Sequence, residues 1–221
     1  CAPALHGEPL EIVLAGGKRV QAATVVIATG ARYRRPAIDA LDRFEGSNIS
    51  YWASPIEAQL CAGQQIALVG GGNSAGQATV FLAPYAERLH LVARRDLKDT
   101  MSSYLIERIA ALPNIEYHIG SELTALTGEP GGVVDATFRR RDTGATVSHA
   151  LRHVFLFIGA EPNTDWLHEC VEVDDRGFVV TGGGFRRDAS VARDPLPLET
   201  SLPRVFAIGD VAATDPLRSS A

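Results

Sequence analysis

The feature that most constrains the fold is a glycine-rich segment between an apolar run and a stretch of small residues. Ile66–Val69 reads as a buried strand, Gly70-Gly71-Gly72-Asn73-Ser74-Ala75 follows at once, and a helix is predicted to about Ala83. In such a unit the first glycine permits a tight turn, the second lets a diphosphate approach the backbone, and a small third residue lets helix and strand pack closely. The N–H groups that begin the helix attract phosphate. The segment predicts a dinucleotide-binding Rossmann unit; the alternative is a glycine-rich turn that binds nothing.

The end of the next strand indicates which dinucleotide is bound. Leu89–Val92 is the predicted strand, and Arg94-Arg95-Asp96 follows it. Units that bind NAD usually place an acid here, about 20 residues after the glycine motif, to bond the ribose 2′-hydroxyl. Two arginines suit a 2′-phosphate instead, because they form charge-assisted hydrogen bonds. The sequence therefore favours NADP(H) over NAD(H); the alternative is a pair of solvated arginines.

The remaining patterns predict an α/β fold with three layers. A helix starts at Ser54-Pro55-Ile56-Glu57, where the N-cap, first-position proline and third-position glutamate are all favourable, and ends near Cys61. A second runs from about Thr100 to Leu112. Together with the glycine unit these give βαβαβ, then a β-meander and a return strand. Further strand predictions are a hairpin and a buried strand within residues 10–28, then Ile115–His118, Leu123–Leu126, Val133–Arg140, Thr146–Leu151, Val154–Ile158 and Val205–Ile208.

Composition excludes several classes of protein. The net charge of −5 disfavours nucleic acid as a partner. No apolar run approaches the ~20 residues that span a bilayer, and no signal peptide is visible. We therefore expect a cytoplasmic location and no membrane partner. The chain begins at Cys1 without a methionine, and we expect it to be a piece of a longer polypeptide.

Some conspicuous residues have ordinary interpretations. Cys61 is predicted to be a small buried side chain rather than a reactive thiol. The six histidines show no metal-ligand spacing; His149 and His153 are four residues apart, but in strand-like sequence, and are interpreted as structural, so no metal site is predicted. The run Arg139–Arg141 is interpreted as a solvated edge of the meander.

Further segments, in order along the chain, carry a family resemblance. Thr24–Gly30 precedes the nucleotide unit, Phe157–Thr164 ends it, and Val205–Val211 comes last. With the glycine motif and the two arginines, they resemble the low-molecular-weight thioredoxin reductase family, flavoproteins of the pyridine nucleotide-disulfide oxidoreductase superfamily. The resemblance implies an NADP(H) domain, residues 35–158, inserted into a Rossmann-like FAD domain formed by residues 1–34 and 159–221.

The resemblance also implies roles for particular residues. Asp210, after Gly209, would bond the ribityl chain of the flavin, and Thr29 and Gly30 would lie near FAD. Ile158 and Gly159 would line the NADP(H) side of the crossing between domains. Hydride transfer requires no general acid or base, so no catalytic side chain is predicted.

The implied activity is that of an NADPH-dependent flavin oxidoreductase, homodimeric at full length, that passes hydride from NADPH to FAD and then to an acceptor. The acceptor stays open among a quinone, a dye-like molecule, oxygen, a ferredoxin-like protein and a disulfide reached through cysteines outside this chain. The FAD fingerprint and the last flavin-facing helix of the family fall outside this sequence. The FAD site is therefore expected to be incomplete, and the isolated chain inactive.

One departure from the family concerns the dithiol. Its members carry a Cys-x-x-Cys pair just before the NADPH strand, where this chain has Trp52 and Pro55, and no Cys-x-x-Cys occurs elsewhere in it. Disulfide exchange requires two thiols within bonding reach, and Cys61 alone does not provide them. Trp52 could pack on the flavin or fill the vacated space. An NADP(H)-binding sensor without turnover is the alternative function.

Overall fold

The structure, a computed structural model, describes residues 9–39, 41–167, 170–184 and 193–213. Two compact units are present: Tyr33–Gly159, and the described residues up to Arg32 together with those from Ala160 onwards. The domain boundaries expected from the sequence differ from these by at most two residues.

The helices and strands are numbered in their order along the chain. The α-helices are α1 Pro55–Leu60, α2 Asn73–Leu82 and α3 Ser103–Ala110. The strands are β1 Leu10–Val13, β2 Arg19–Ala22, β3 Val25–Ile27, β4 Ala31–Tyr33, β5 Ile49–Ser50, β6 Gln65–Val69, β7 Arg88–Ala93, β8 Ile115–Ile119, β9 Ser121–Gly128, β10 Val134–Arg140, β11 Thr146–Leu151, β12 His153–Leu156, β13 Ala160–Pro162 and β14 Val205–Ala207.

The unit Tyr33–Gly159 is built on a parallel sheet with the order β5-β12-β6-β7-β8. One face, with Leu68 and Leu91, packs against the helices. The other face, with Ala67 and Val92, packs against an antiparallel sheet of order β11-β10-β9. The predicted α/β fold with three layers is confirmed.

The strand order of this sheet reverses at one point. From β6 the chain passes through α2 to β7 and through α3 to β8, whereas β12 returns to the opposite side of β6. Ligands of open α/β sheets bind outside the carboxyl ends of the strands where the order reverses in this way. Here that point lies between β6 and β12.

The predicted helix starts are right for α1 and wrong for α3. At α1, the Ser54 side chain accepts the Ile56 N–H and Glu57 reaches back to the N-cap, as the capping-box pattern predicts. Helix α3 begins at Ser103, not near Thr100, and ends at Ala110, before the predicted Leu112. Thr100 lies outside the helix, and its hydroxyl donates a hydrogen bond to the Gly71 carbonyl at 2.7 Å.

The other unit contains the predicted hairpin, β1 with β2, and the parallel pair β3 with β14. Ile27 and Ala207 lie in its core. Of residues 25–28, for which the sequence predicts a buried strand, Ile27 is buried and Val26 is 55% exposed in this chain. Within the described residues, β3 has β14 as its one neighbouring strand.

None of the helices that the structure describes is long and apolar enough to cross a membrane.

Candidate functional site

The turn after β6 requires glycine at its first position. The Gly70 N–H donates to the Val92 carbonyl at 2.9 Å. A Cβ at this position would lie 2.4 Å from the Phe157 carbonyl oxygen and 3.0 Å from the Cβ of Ala75. Ala75 is itself buried. The first and third positions of the motif thus allow β12, β6 and α2 to meet closely, as the pattern predicts.

The second half of the motif leaves the start of α2 open. Gly72 is the N-cap, no side chain caps the helix there, and a Cβ built on Gly72 would meet no protein atom within 4 Å. Asn73 instead accepts the Ser102 N–H at 2.8 Å, whereas Ser74 is exposed. The first N–H groups of a helix have no partner inside it, so this end of α2 can bind an anion.

The two arginines lie on the same edge of the sheet as the glycine turn. Val69 of β6 pairs with Val92 of β7, so the residues after both strands are neighbours. Arg94 and Arg95 are exposed, and neither makes an ion pair or hydrogen bond with another residue in the described part of the chain. Asp96 is occupied locally, since its carboxylate accepts the Lys98 N–H at 3.0 Å. Two cations are therefore free to bind a phosphate.

The segment after β12 continues this edge. The Phe157 N–H donates to the Val69 carbonyl at 2.8 Å, and Ile158 is half-buried against the meander side of the sheet. Gly159 has a φ of +103° and accepts the Arg34 N–H at 2.9 Å.

The residues expected near FAD lie together in the other unit. Parallel pairing of β3 with β14 places their carboxyl ends side by side. Thr29 and Gly30 are held by Asn163: its side chain donates to the Thr29 carbonyl at 2.9 Å and its N–H to the Gly30 carbonyl at 3.0 Å. After β14, Gly209 has a φ of +72° and Asp210 is exposed.

The segment that aligns with the family's dithiol is occupied by a tryptophan and a helix start. Trp52 is half-exposed, its ring centroid lies 6.5 Å from that of Tyr33, and its Nε1 donates to Glu57 at 3.2 Å. Pro55 is the first residue of α1. Cys61 is a free, fully buried thiol, and burial raises its pKa to about 11. The prediction of a small buried side chain at Cys61 is confirmed.

One group of chemically capable residues was missed by the sequence analysis. We call it the histidine cluster: His90, Glu116, His118 and His149, whose ligand-type atoms all lie within 4.8 Å of one another. The sequence spacing compares His149 only with His153, and it does not reveal that His90, Glu116 and His118 lie near His149. A signal was available, because His90 interrupts an apolar strand and Glu116 and His118 alternate on one face of β8. By contrast, Arg139 and Arg140 form exposed ion pairs with Glu122 and Asp142, as expected of a solvated edge.

Comparison with known proteins identifies a family for this chain. The family model described as pyridine nucleotide-disulphide oxidoreductase matches residues 6–220. An alkyl hydroperoxide reductase of Pseudomonas putida (its F subunit) is 32% identical over 95% of this chain and 37% of its own length. NADPH-dependent thioredoxin reductase 3 of Arabidopsis thaliana is 32% identical over 88% of this chain and 35% of its own.

A solved structure gives the same result for the fold. Thioredoxin reductase from Streptococcus pyogenes MGAS5005 is 27% identical with a TM-score of 0.70, covering 91% of this chain and 61% of that one. The chain spans about a third of the length of the two curated relatives above. With its family model matched over residues 6–220, the chain belongs to the pyridine nucleotide-disulphide oxidoreductase family and is similar to the thioredoxin reductases within it.

Proposed function

We propose that this chain provides the NADP(H)-binding part, and some of the FAD-binding part, of an NADPH-dependent flavin oxidoreductase. The observation that carries the proposal is one edge of the parallel sheet: the glycine turn and the uncapped start of α2 follow β6, and two arginines with no ion pair or hydrogen bond among the described residues follow the neighbouring β7. A turn that binds nothing has no need of two free cations beside an open helix start.

The residues fit NADP(H) in a specific way. The diphosphate would bind the N–H groups at the start of α2, passing over Gly72, where no protein atom would be displaced. Arg94 and Arg95 would bind the 2′-phosphate. Ile158 and Gly159 would line the same edge beside Gly70. These residues bind and orient the nucleotide.

For FAD, the candidate residues are Thr29, Gly30, Gly209 and Asp210. The Asn163 hydrogen bonds fix the Thr29–Gly30 turn, and Asp210 presents an exposed carboxylate that can accept a ribityl hydroxyl. Together the two cofactors supply hydride transfer and electron storage, while the protein supplies binding and orientation.

The final acceptor is the open part of the proposal. The names of the relatives suggest alkyl hydroperoxide and thioredoxin as the first acceptors to test. This chain has no Cys-x-x-Cys, and its Cys61 is buried, so the dithiol that the family places before the NADPH strand is not present in these residues. The same observation supports a second candidate function, an NADP(H) sensor that binds without turnover.

An anaerobic titration of the full-length protein distinguishes these two functions. We expect stoichiometric NADPH to bleach the flavin absorbance, with NADH needed at much higher concentration. Tight NADPH binding without bleaching would favour the sensor. Absence of bleaching by both nucleotides, with FAD bound, would refute the oxidoreductase.

The choice of nucleotide is tested by calorimetry on a double variant. Arg94→Ala with Arg95→Ala removes two charge-assisted interactions, so we expect NADP⁺ affinity to fall about 100-fold and NAD⁺ affinity to change less than about threefold. The control, Arg19→Ala with Arg176→Ala, removes the same charge from exposed arginines of the other unit. Equal losses for NADP⁺ and NAD⁺, or equal losses in the two double variants, would contradict the assignment.

A further inference from the structure

Between the two sheets of the unit Tyr33–Gly159, three histidines and one glutamate from three strands converge. His90 lies on β7, Glu116 and His118 on β8, and His149 on β11 of the antiparallel sheet. His90 is fully buried, whereas the side chains of His118 and Glu116 are 12% and 36% exposed. None of the four belongs to the nucleotide edge described above.

Three of the four ligand atoms lie at nearly the spacing of a tetrahedral metal site. His90 Nδ1 lies 3.0 Å from His118 Nε2, His118 Nε2 lies 3.4 Å from Glu116 Oε1, and His90 Nδ1 lies 3.7 Å from that oxygen. Atoms bound about 2.0–2.1 Å from a tetrahedral zinc ion are about 3.3–3.4 Å apart. The measured distances bracket this value, and the fourth group, His149, lies within 4.8 Å of all three.

The cluster contains a buried polar atom that protein contacts leave unsatisfied. Nε2 of His149 is buried and has no hydrogen-bond partner in the described part of the chain. A buried nitrogen without a hydrogen-bond partner costs free energy, and a metal ion bound to that nitrogen is one physical explanation for it. The rings around it are close: the centroid of His149 lies 4.3 Å from that of His90 and 5.1 Å from that of His118.

Neighbouring residues orient two of the four groups toward a common point. Nε2 of His90 lies 3.5 Å from Oε1 of Gln65, which directs its Nδ1 to the cluster. Arg88 holds Oε2 of Glu116 at 3.1 Å, so that Oε1 faces the histidines. Outer contacts of this kind fix the tautomer and orientation of metal ligands. Arg88 also repels a cation, and the Glu116 carboxylate offsets this repulsion.

An aromatic side chain packs against the cluster. The buried ring of Phe138 packs 5.0 Å from His118 and 5.5 Å from His149.

We propose that His90, Glu116, His118 and His149 bind a Zn²⁺ ion that ties the parallel sheet to the antiparallel sheet. Three imidazole nitrogens and one carboxylate oxygen are ligands that zinc accepts, and four protein ligands close the coordination sphere. The site is therefore structural. The proposal is independent of the nucleotide function, because it uses neither the glycine turn nor the arginines.

The test starts with the untagged full-length protein, stripped of metal by a chelator and dialysed. We expect one Zn²⁺ to bind with a Kd below about 1 µM. Co²⁺ should give the intense visible bands of tetrahedral coordination, and excess Zn²⁺ should raise the thermal midpoint by mass action. A Zn²⁺ affinity weaker than about 100 µM, or Co²⁺ spectra without tetrahedral bands, would overturn the proposal.

Matched variants locate the ion. Glu116→Gln and Glu122→Gln each neutralise a partly exposed carboxylate paired with an arginine, Arg88 or Arg139. We expect Glu116→Gln to weaken Zn²⁺ binding at least tenfold and Glu122→Gln to leave it within about twofold. His149→Gln tests the second sheet, and we expect a loss of about 100-fold with NADP⁺ binding retained as the check of folding. Equal affinities for Glu116→Gln and Glu122→Gln, or no loss for His149→Gln, would refute the site.

Discussion

Two glycines of the same turn should respond differently to alanine: the change at Gly70 should lower stability strongly, whereas the change at Gly72 should lower nucleotide affinity with little loss of stability. At Gly70, the new Cβ would lie 2.4 Å from the Phe157 carbonyl oxygen, although real Cβ contacts are essentially never shorter than 3.0 Å. Both nearby obstacles, that backbone oxygen and the Cβ of Ala75, are fixed parts of the core. Helix α2 or strand β12 must therefore move by about 0.6 Å.

The size of the effect of Gly70→Ala follows from this overlap. Forcing a methyl group into a packed interior costs about 1–3 kcal/mol. In a chain of this length each kcal/mol lowers the thermal midpoint by about 2–4 °C, so we expect a decrease of roughly 2–12 °C. NADP⁺ binding should be lost as well, since the turn that presents α2 is displaced.

Gly72→Ala is the matched change without overlap. Its φ of −91° and ψ of 179° suit any residue, and the added Cβ meets no protein atom. We expect less than about 1 kcal/mol of destabilisation, because alanine is a somewhat poorer N-cap than glycine. The methyl group would occupy the approach of the diphosphate, so NADP⁺ affinity should fall at least tenfold, or about 1.4 kcal/mol.

Thermal unfolding followed by circular dichroism, with calorimetric titration of NADP⁺, measures both effects. If Gly72→Ala binds NADP⁺ like the native chain, the diphosphate does not pass over Gly72. If Gly70→Ala unfolds at the native temperature, the close approach of β6, β12 and α2 does not constrain this position.

Three further experiments, two with variants and one with a thiol label, test the fold. Ser54→Ala removes the side-chain acceptor that caps α1, so the free energy of unfolding in urea should fall by about 1 kcal/mol; Ser54→Thr should retain most of it, and an unchanged midpoint for the alanine variant would contradict the cap. Cys61, buried and with its pKa raised to about 11, should be alkylated only in denaturant, as peptide mass spectrometry can show; rapid labelling of the native protein would contradict its burial. Glu199, 2% exposed and bonded to Arg193, has a folded pKa lowered to about 2, so its stabilisation is present above about pH 4.5 and is lost as the pH falls toward 2. Glu199→Gln should therefore lower the free energy of unfolding by roughly 2–3 kcal/mol at pH 7, with the difference shrinking in acid, and a difference independent of pH would refute this.

Much of the nucleotide-binding unit could be predicted because its signals are local. The apolar run Ile66–Val69 and the glycines after it specify a strand, a turn and a helix within twenty residues, and the structure has them as β6 and α2. The Ser54–Glu57 capping box likewise depends on neighbours in sequence. The start of α3 was not predicted: a short 3₁₀ helix, Leu97–Asp99, comes first, Thr100 bonds the distant Gly71 carbonyl, and α3 begins at Ser103.

The histidine cluster shows the same limit more strongly. His90 and Glu116 are adjacent because β7 and β8 pair in a particular register, which sequence spacing does not give. His149 reaches them only because the antiparallel sheet, to which β11 belongs, packs on that face of the parallel sheet. Metal spacing in helices and short loops can be read from a sequence, whereas a polar residue in an apolar strand, such as His90, does not by itself reveal which distant ligands it meets.

The proposed route of electrons depends on the segment before β6 as much as on the nucleotide edge. Where the family resemblance places two cysteines, this chain has a helix start in which Pro55 fixes the first position and Glu57 bonds both Ser54 and Trp52. These contacts hold the start of α1 in place, and two cysteine side chains would not make them. Restoring cysteines at 52 and 55 would therefore remove the Trp52–Glu57 bond and the helix-start proline together. If the proposed flavin function holds, this segment therefore favours an acceptor that takes electrons directly from the flavin, or cysteines supplied elsewhere in the protein, over a dithiol at this position.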